Sequence, residues 1–248
     1  MSTSIAAVPE ANVRASFLGA LGRLHERFLV DVPGVTEVWL VRHGDAYGEL
    51  VSRDDPAELD GAAAEESAGR ILGATGRIDP PLSPAGRDQA MRLGRRLAAS
   101  GVTHVWCSGL LRARETAELA AAPGNLGVEV DDRLREVTTH WDSEDEHPDP
   151  EPNTPYIPFV EPVEEVVTRM DGAVREIAAM AGPGGRVAAV SHAGAISMYV
   201  AHVMRLDSGP LRLLPRFTSV SVIAVKEGQV VVQSIGDVGH LVRESADG

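Results

Sequence analysis

Hydrophobic residues along the chain follow two spacings, and each spacing predicts one kind of secondary structure. Five segments have apolar residues at about every third or fourth position, which predicts a helix in each. These segments are residues 14–30, 83–99, 111–121, 163–181 and 193–204. Short apolar runs predict strands at 35–41, 102–107, 128–130 and 186–191, and a hairpin formed by 217–225 and 229–235. In the second helix, Ser83 is expected to be the N-cap and Pro84 the first helical residue.

The alternation of strands and helices indicates an α/β fold. We expect a mostly parallel central sheet with helices on both faces and an antiparallel edge strand. We expect a flexible leader at residues 1–12, an N-terminal helix within 13–34 that packs on the domain, and a single domain over 35–248. The polar stretches 45–81 and 138–162 predict long loops, because they lack regular spacing and the second is acidic and rich in proline.

The composition limits the class of function. The chain has 248 residues, with 23 Lys and Arg against 36 Asp and Glu, which gives a formal net charge of −13. This charge argues against a general nucleic-acid binder and against docking on an anionic membrane. No apolar run reaches the ~20 residues that a membrane helix needs, and the N-terminus does not resemble a signal peptide. The single cysteine, Cys107, excludes an internal disulfide, so we expect a cytoplasmic protein.

Three of the predicted strands end in residues that can bind an anion. Arg42-His43-Gly44 follows the first strand, and Ser191-His192-Ala193-Gly194 follows the fourth. Cys107-Ser108 ends the second strand, with Arg112 one helical turn further on. Because ligands bind beyond the carboxyl ends of parallel strands, we expect two imidazoles and two guanidinium groups to converge at one edge of the sheet.

Such a group of cations in an acidic protein would be unfavourable unless an anion binds among them. Arginine side chains match phosphate oxygens in a bidentate way. Gly44 and Gly194 allow the backbone to approach a ligand closely. The helices expected after Ser108 and His192 would add their positive dipole ends. The sequence therefore predicts a site for a phosphate dianion.

Five motifs, in order along the chain, resemble those of the histidine phosphatase superfamily, the phosphoglycerate-mutase-like group. They are Leu40-Val41-Arg42-His43-Gly44, Pro81-Leu82-Ser83-Pro84-Ala85-Gly86, the segment 108–117 (SGLLRARETA), Leu134-Arg135-Glu136 and Val190-Ser191-His192-Ala193-Gly194. A lone Arg-His-Gly would be a weak signal, but five ordered motifs at predicted strand and helix ends are specific. The resemblance extends from about Val35 to about Leu241 and implies a phosphoglycerate-mutase-like fold.

The resemblance implies a role for each motif residue. His43 would be the nucleophile that forms a phosphohistidine, since a neutral imidazole attacks without a separate base. Arg42, Arg112 and His192 would bind the oxygens of the transferred phosphoryl group. Glu136 would protonate the leaving alkoxide and then deprotonate the attacking water. No metal or organic cofactor is implied; the expected partner is a small phosphorylated substrate, and a homodimer stays open.

The identity of the acid–base residue has the most alternatives. Glu115, Asp45 and Glu49 are also carboxylates near the predicted site, so any of them could act instead of Glu136. Ser108 could either contribute its hydroxyl or simply end its strand.

The sequence departs from the family pattern in places that affect substrate binding. Glu49 stands where many members have an asparagine that contacts phosphate, and a carboxylate there would repel a dianion. Either Glu49 points away, or Tyr47 or Ser52 supplies a neutral contact. Glu115 replaces a common glutamine, and Ala193 replaces a frequent glycine.

These features favour hydrolysis over intramolecular transfer. The mutase branch carries arginine and lysine after the acid glutamate, whereas here Glu136 is followed by Val137-Thr138-Thr139 and then an acidic loop. We therefore predict a metal-independent phosphatase that acts on a phosphate monoester, with a phosphoglycerate-type mutase or a non-catalytic phosphate-binding protein as alternatives. An apolar wall over the leaving group could come from Trp141, Tyr156 and Phe159. A phosphorylated acid stays open as substrate because of Arg53, Arg70 and Arg77.

Overall fold

The computed structural model describes residues 10–46, 79–139, 160–206 and 213–242, with side chains from residue 17 onward. These ranges contain five α-helices and six strands. The helices are α1 (Glu10–Phe28), α2 (Pro84–Ala99), α3 (Leu111–Ala121), α4 (Val163–Ala181) and α5 (Ala193–Val203). The strands are β1 (Thr36–Arg42), β2 (His104–Cys107), β3 (Gly127–Val130), β4 (Arg186–Ser191), β5 (Val220–Lys226) and β6 (Gln229–Asp237).

The six strands form one mixed sheet in the order β3-β2-β4-β1-β5-β6. The first four strands in this order pair in parallel. Strand β5 pairs antiparallel with β1, and β6 pairs antiparallel with β5. The expected fold class, a mostly parallel sheet with an antiparallel edge, is therefore confirmed. The β5–β6 turn lies at Glu227-Gly228, as predicted, and both residues have positive φ, as a tight hairpin turn requires.

Helices cover both faces of the sheet, as expected. On one face, α4 and α5 bury a core that includes Leu40, Met170 and Tyr199. On the other face, α2 and α3 bury a second core that includes Val41 and Leu93. Successive residues of a strand point to opposite faces, so neighbouring positions of β1 belong to different cores. This explains why β1 reads as a continuous apolar run rather than an alternating one.

Hydrogen bonds close the ends of the two long segments that connect these elements. Ala46 pairs with Leu82 as an antiparallel bridge across the ends of segment 47–78. The N–H of Val160 donates to the carbonyl of Thr138 at 2.9 Å across the ends of segment 140–159. The described residues that flank each segment are therefore held next to each other.

The start of α2 agrees with the prediction from sequence. Ser83 is the N-cap, and its hydroxyl accepts a hydrogen bond from the N–H of Gly86 at 3.0 Å. Pro84 is the first helical residue, where its missing N–H costs nothing.

The N-terminal helix differs from the prediction. Helix α1 begins at Glu10, inside the expected leader, and ends at Phe28. Four of its large apolar side chains are about half exposed or more: Phe17 (63%), Leu18 (56%), Leu24 (51%) and Phe28 (48%). The expected packing of this face on the domain is therefore not seen. Gln229 and Gln233 of β6 instead hold the end of the helix by donating to the carbonyls of Arg27 and Leu29. Apolar spacing identified the helix, but it cannot show which surface covers the apolar face.

Of the helices in the described residues, none combines the length and the apolar character required to cross a membrane.

Candidate active site

The parallel register of the sheet brings the predicted strand ends to one edge. Arg42 lies opposite Ser191, and the N–H of His43 donates to the carbonyl of Ser191 at 3.0 Å. The N–H of Ser108 donates to the carbonyl of Val190 at 2.9 Å, which aligns the end of β2 with β4. The ring centroids of His43 and His192 are 5.0 Å apart, and the rings are tilted by 56°. The expected convergence of the two imidazoles is therefore seen.

Two hydrogen bonds define the tautomer of His43. Its Nδ1 lies 2.7 Å from the carbonyl oxygen of Gly44, which can only accept, so Nδ1 carries the proton. The Nε of Arg112 donates to Nε2 of His43 at 3.3 Å, so Nε2 holds the lone pair. The ring is only 2% exposed. His43 is thus a buried, neutral imidazole whose Nε2 faces a guanidinium group.

The surroundings keep both imidazoles neutral. Burial lowers the pKa of His43 well below its usual value, and the nearby charges of Arg112 and Arg42 lower it further. Burial and then Arg112 also lower the pKa of His192. Neither ring nitrogen of His192 has a hydrogen-bond partner among the described residues, although the side chain is fully buried. Oxygens of an anion would satisfy these nitrogens and would favour the protonated ring.

Contacts outside the histidine pair orient the two arginines. The Nη1 of Arg42 donates to the carbonyl of Pro215 at 3.0 Å, and the guanidinium carbon lies 3.9 Å from the centroid of the Phe217 ring. The Nη1 of Arg112 lies 3.6 Å from a carboxylate oxygen of Asp79. Both guanidinium groups are therefore directed by neighbours that hold them beside the histidines.

Asp79 is a site residue that the sequence analysis missed. Besides approaching Arg112, its carboxylate accepts a hydrogen bond from the N–H of Leu111 at 2.8 Å. It thereby satisfies an N–H at the first turn of α3, the helix that carries Arg112. Asp79 lies near the end of a long polar stretch that has no regular hydrophobic spacing. Its role depends on a hydrogen bond to Leu111, which is 32 residues further along the chain, so no local pattern in the sequence reveals it.

Gly44 is required by the packing of the chain itself. A Cβ on Gly44 would lie 2.7 Å from the carbonyl oxygen of Gly86, which is closer than real contacts allow. The N–H of Gly44 donates to the hydroxyl of Thr116 at 2.9 Å, and that hydroxyl donates to the carbonyl of Arg112 at 2.7 Å. Thr116 therefore ties the end of β1 to α3. A contact of Gly44 with phosphate stays a prediction.

The carboxylate of Glu136 lies at the N-terminus of α5, next to His192. Its oxygens accept hydrogen bonds from the N–H groups of Val137 (2.9 Å), Ala195 (3.0 Å) and Gly194 (3.3 Å). A Cβ on Gly194 would lie 2.8 Å from a carboxylate oxygen of Glu136, so any larger residue there would displace this carboxylate. The carboxylate of the Leu134-Arg135-Glu136 motif is thus bound at the start of α5, the helix that follows β4.

Two alternative carboxylates have structural partners. Asp45 accepts a hydrogen bond from the hydroxyl of Ser83 at 2.6 Å. Glu115 accepts from the N–H of Leu82 at 2.8 Å and from Arg87 at 2.9 Å. Both side chains therefore hold the segment that leads into α2. The remaining named residues lie outside the described ranges: Tyr47, Glu49, Ser52, Arg53, Arg70, Arg77, Trp141, Tyr156 and Phe159.

Cys107 and Ser108 end β2 beside this site. Cys107 is fully buried, and burial raises the pKa of its thiol to about 11, which agrees with a small apolar role. The hydroxyl of Ser108 accepts a hydrogen bond from the N–H of Leu110 at 3.3 Å. Ser108 therefore has a local role at the strand end.

A surface cavity of about 480 Å³ opens beside Arg42. Its lining is largely apolar, with Leu214, Pro215, Phe217 and Leu241 next to Gln89 and Arg216. A larger cavity of about 600 Å³ lies at the other end of the sheet and is lined by none of the predicted site residues. Within the described ranges, no three metal-binding side chains are grouped in a way that could hold a metal ion.

Sequence comparison shows the family. The profile of the histidine phosphatase superfamily, branch 1, matches residues 38–238, which is most of the chain. The protein therefore belongs to the histidine phosphatase superfamily, and the predicted resemblance is confirmed.

Individual relatives carry different names. A protein of Cronobacter sakazakii named probable phosphoglycerate mutase GpmB is 30% identical over 235 residues, which cover 85% of this chain and 97% of that protein. The structure of YhfR from Bacillus stearothermophilus is 27% identical with a TM-score of 0.63, and covers 84% of this chain and 100% of its own. A mycobacterial glucosyl-3-phosphoglycerate phosphatase, 21% identical with a TM-score of 0.61, covers 82% of this chain and 100% of its own and is similar in fold.

The neutral state of the buried histidines predicts a pH-dependent stability. Between pH 7.0 and 5.5 the unfolded imidazoles bind protons, because their usual pKa is 6.5, while folded His43 and His192 do not. The stability that comes from keeping these imidazoles neutral is therefore fully present above pH ~6.5. As the pH falls below this value, the free energy of unfolding decreases by up to about 1.4 kcal/mol per pH unit for each of the two histidines. Urea denaturation of the wild type should show this loss, and His192→Asn should show a shallower one. Equal slopes for the two proteins would contradict the assignment.

Proposed function

We propose that this protein is a metal-independent phosphatase that hydrolyses a phosphate monoester through a phosphohistidine. The observation that carries the proposal is the pair of buried imidazoles, with Nε2 of His43 unprotonated and directed at Arg112. A neutral imidazole held in one tautomer is a ready nucleophile, and adjacent cations suit the charge of a phosphoryl group.

In the first step, Nε2 of His43 attacks phosphorus and the bond from phosphorus to the alcohol oxygen breaks. Glu136 gives a proton to the departing alkoxide, so a neutral alcohol leaves and a phosphohistidine remains. In the second step, Glu136 takes a proton from water as the water oxygen attacks phosphorus. The bond from phosphorus to His43 breaks, inorganic phosphate leaves, and the neutral imidazole is restored.

The cations act on the transferred group during both steps. Arg42 and Arg112 would bind its equatorial oxygens, and His192 would bind them in its protonated form. Because burial and neighbouring charge lower the pKa of His192, the phosphoryl dianion itself is what favours that proton. These groups stand in place before the reaction, so little reorganisation is needed when charge develops.

The sequence that follows Glu136 supports hydrolysis over transfer within one molecule. Between Arg135 and Arg169 the chain contains no lysine or arginine, while it contains many acidic residues. A mutase must hold a second anionic group and retain a bisphosphate, and this stretch offers no cation for either purpose. A phosphoglycerate-type mutase is the second candidate, favoured by the names of relatives such as GpmB from Cronobacter sakazakii.

The cavity beside Arg42 supports a partly apolar leaving group. Its apolar wall, with Leu214 and Phe217, would bury hydrocarbon or ring atoms, and Arg216 at its edge could contact an acidic substituent. We infer that the substrate is an ester whose alcohol carries an apolar body.

Replacement of the nucleophile tests the reaction directly. His43→Ala should abolish turnover of p-nitrophenyl phosphate measured in EDTA, together with the acid-labile label that the wild type takes up from radiolabelled substrate. The matched control is His104→Ala, because His104 is a half-exposed histidine of β2, away from the paired imidazoles. Full activity of the His43 variant would end the proposal, and loss of wild-type activity in EDTA would refute metal independence.

Arg112→Ala should lower kcat by about 100-fold or more, because a positioned cation acts mainly in the transition state. Arg114→Ala provides the control, since Arg114 lies on the same helix with its side chain exposed. The measurement is steady-state turnover of p-nitrophenyl phosphate by both variants. A loss below about threefold in the Arg112 variant would place this side chain outside the site.

A third experiment separates the two candidate reactions. Any turnover of 3-phosphoglycerate by the wild type should release inorganic phosphate, and a coupled assay should detect no 2-phosphoglycerate. Isomer formation faster than phosphate release would favour the mutase. Turnover of a panel of phosphate monoesters should be fastest for those with a partly apolar alcohol.

A further inference from the structure

A buried ion pair lies behind the segment that carries Glu136. The Nε of Arg169, on α4, donates to one carboxylate oxygen of Glu161 at 2.7 Å, and its Nη2 donates to the other at 3.0 Å. The two side chains are only 9% and 4% exposed. Burying two charges is costly unless their geometry and remaining hydrogen bonds are satisfied. The other donors and acceptors of this pair bind the neighbouring backbone.

The remaining donors of Arg169 bind backbone carbonyls of the segment that leads up to and includes Glu136. Its Nη1 donates to the carbonyls of Arg133 at 2.7 Å and Arg135 at 2.8 Å, and its Nη2 donates to the carbonyl of Glu136 at 3.2 Å. The carbonyl of Arg133 belongs to the short turn Asp132–Leu134, and those of Arg135 and Glu136 belong to the irregular backbone that follows it. Carbonyls of this kind need partners other than a strand or a helix, and one guanidinium supplies three of them.

Glu161 holds the same segment from the other end. Its second carboxylate oxygen accepts a hydrogen bond from the N–H of Thr138 at 3.2 Å. Arg135 also donates to Glu161, at 2.7 Å, but the side chain of Arg135 is 45% exposed. The backbone is thus bound before Glu136 by Arg169 and after Glu136 by Glu161.

The pair keeps its charge. Burial alone would raise the pKa of Glu161, but the hydrogen bonds and charge of Arg169 hold it below its usual value. A charged pair gives short, directional contacts, so the segment it binds has little freedom to move.

We propose that Arg169, supported by Glu161, is a positioning residue for the acid–base group Glu136. This inference rests on the proposed function. Arg169 fixes the backbone of residues 133–136, and the three N–H groups around the carboxylate then fix the side chain of Glu136 beside His192. Its effect on the reaction passes through proton transfer and leaves nucleophilic attack by His43 intact.

This role predicts a dependence on the leaving group. An alkyl alcohol is a poor leaving group and needs the proton from Glu136, whereas p-nitrophenolate leaves without it. The value of kcat/KM for each ester reports transfer to His43. The ratio of kcat/KM for propyl phosphate to that for p-nitrophenyl phosphate therefore measures how well Glu136 is placed.

In Arg169→Met this ratio should fall at least about tenfold, and Glu136→Gln should show the same signature at larger size. Arg135→Met is the matched control, because it removes an ion pair to Glu161 without removing a donor to the backbone carbonyls; its ratio should change less than about threefold. In the double variant Arg169→Met with Glu136→Gln, the ratio should fall no further than in Glu136→Gln alone.

A folded Arg169→Met protein with an unchanged ratio would overturn the inference, and so would equal losses for both esters. If that variant does not fold, Glu161→Gln serves instead, because glutamine has the shape of glutamate but forms a weaker contact with Arg169. An unchanged ratio in this variant would likewise refute the positioning role of Arg169. Absence of a phosphohistidine in the wild type, in contrast, would refute the proposed function itself.

Discussion

The parallel pairing of β1 with β4 is the constraint on which the candidate site depends. A histidine directly follows each strand, and the hydrogen bond from the N–H of His43 to the carbonyl of Ser191 continues the ladder one residue beyond β1. The imidazoles can meet only in this register, because a shift of one residue would turn the side chains to the opposite face of the sheet. Two separate cores hold that register by covering the two faces of β1.

The electrostatics of the site run against those of the whole molecule. The chain carries a formal net charge of −13, yet the edge of the sheet gathers two arginines and two histidines. Burial and the guanidinium charge of Arg112 hold both imidazoles neutral, so His43 keeps its nucleophilic lone pair. The same forces oppose the proton on His192 until a dianion is present. In the proposed mechanism, a bound phosphoryl dianion would favour the proton on His192, while His43 stays neutral.

Local patterns were sufficient for much of the fold. Helix α4 and strand β4 have the predicted bounds, and Ser83 caps α2 as expected, because spacing and cap chemistry are encoded within a few residues. The histidine and arginine positions followed from motifs at strand ends. Asp79, Glu161 and Arg169 were missed because their roles come from contacts across the fold. The apolar face of α1 was predicted to pack on the domain, because its hydrophobic spacing is that of a helix with one buried face, but this face is exposed.

Backbone contacts join the two ends of each long connecting segment. The Ala46–Leu82 bridge and the Thr138–Val160 hydrogen bond close each segment next to the residues that would handle phosphate. Once the ends of a segment are joined, extra length between them costs little free energy, and a change of sequence between them leaves the joined ends in place. Under the proposed function, a change of sequence between these joined ends would alter which ester is bound, while the residues proposed to transfer the phosphoryl group stay in place.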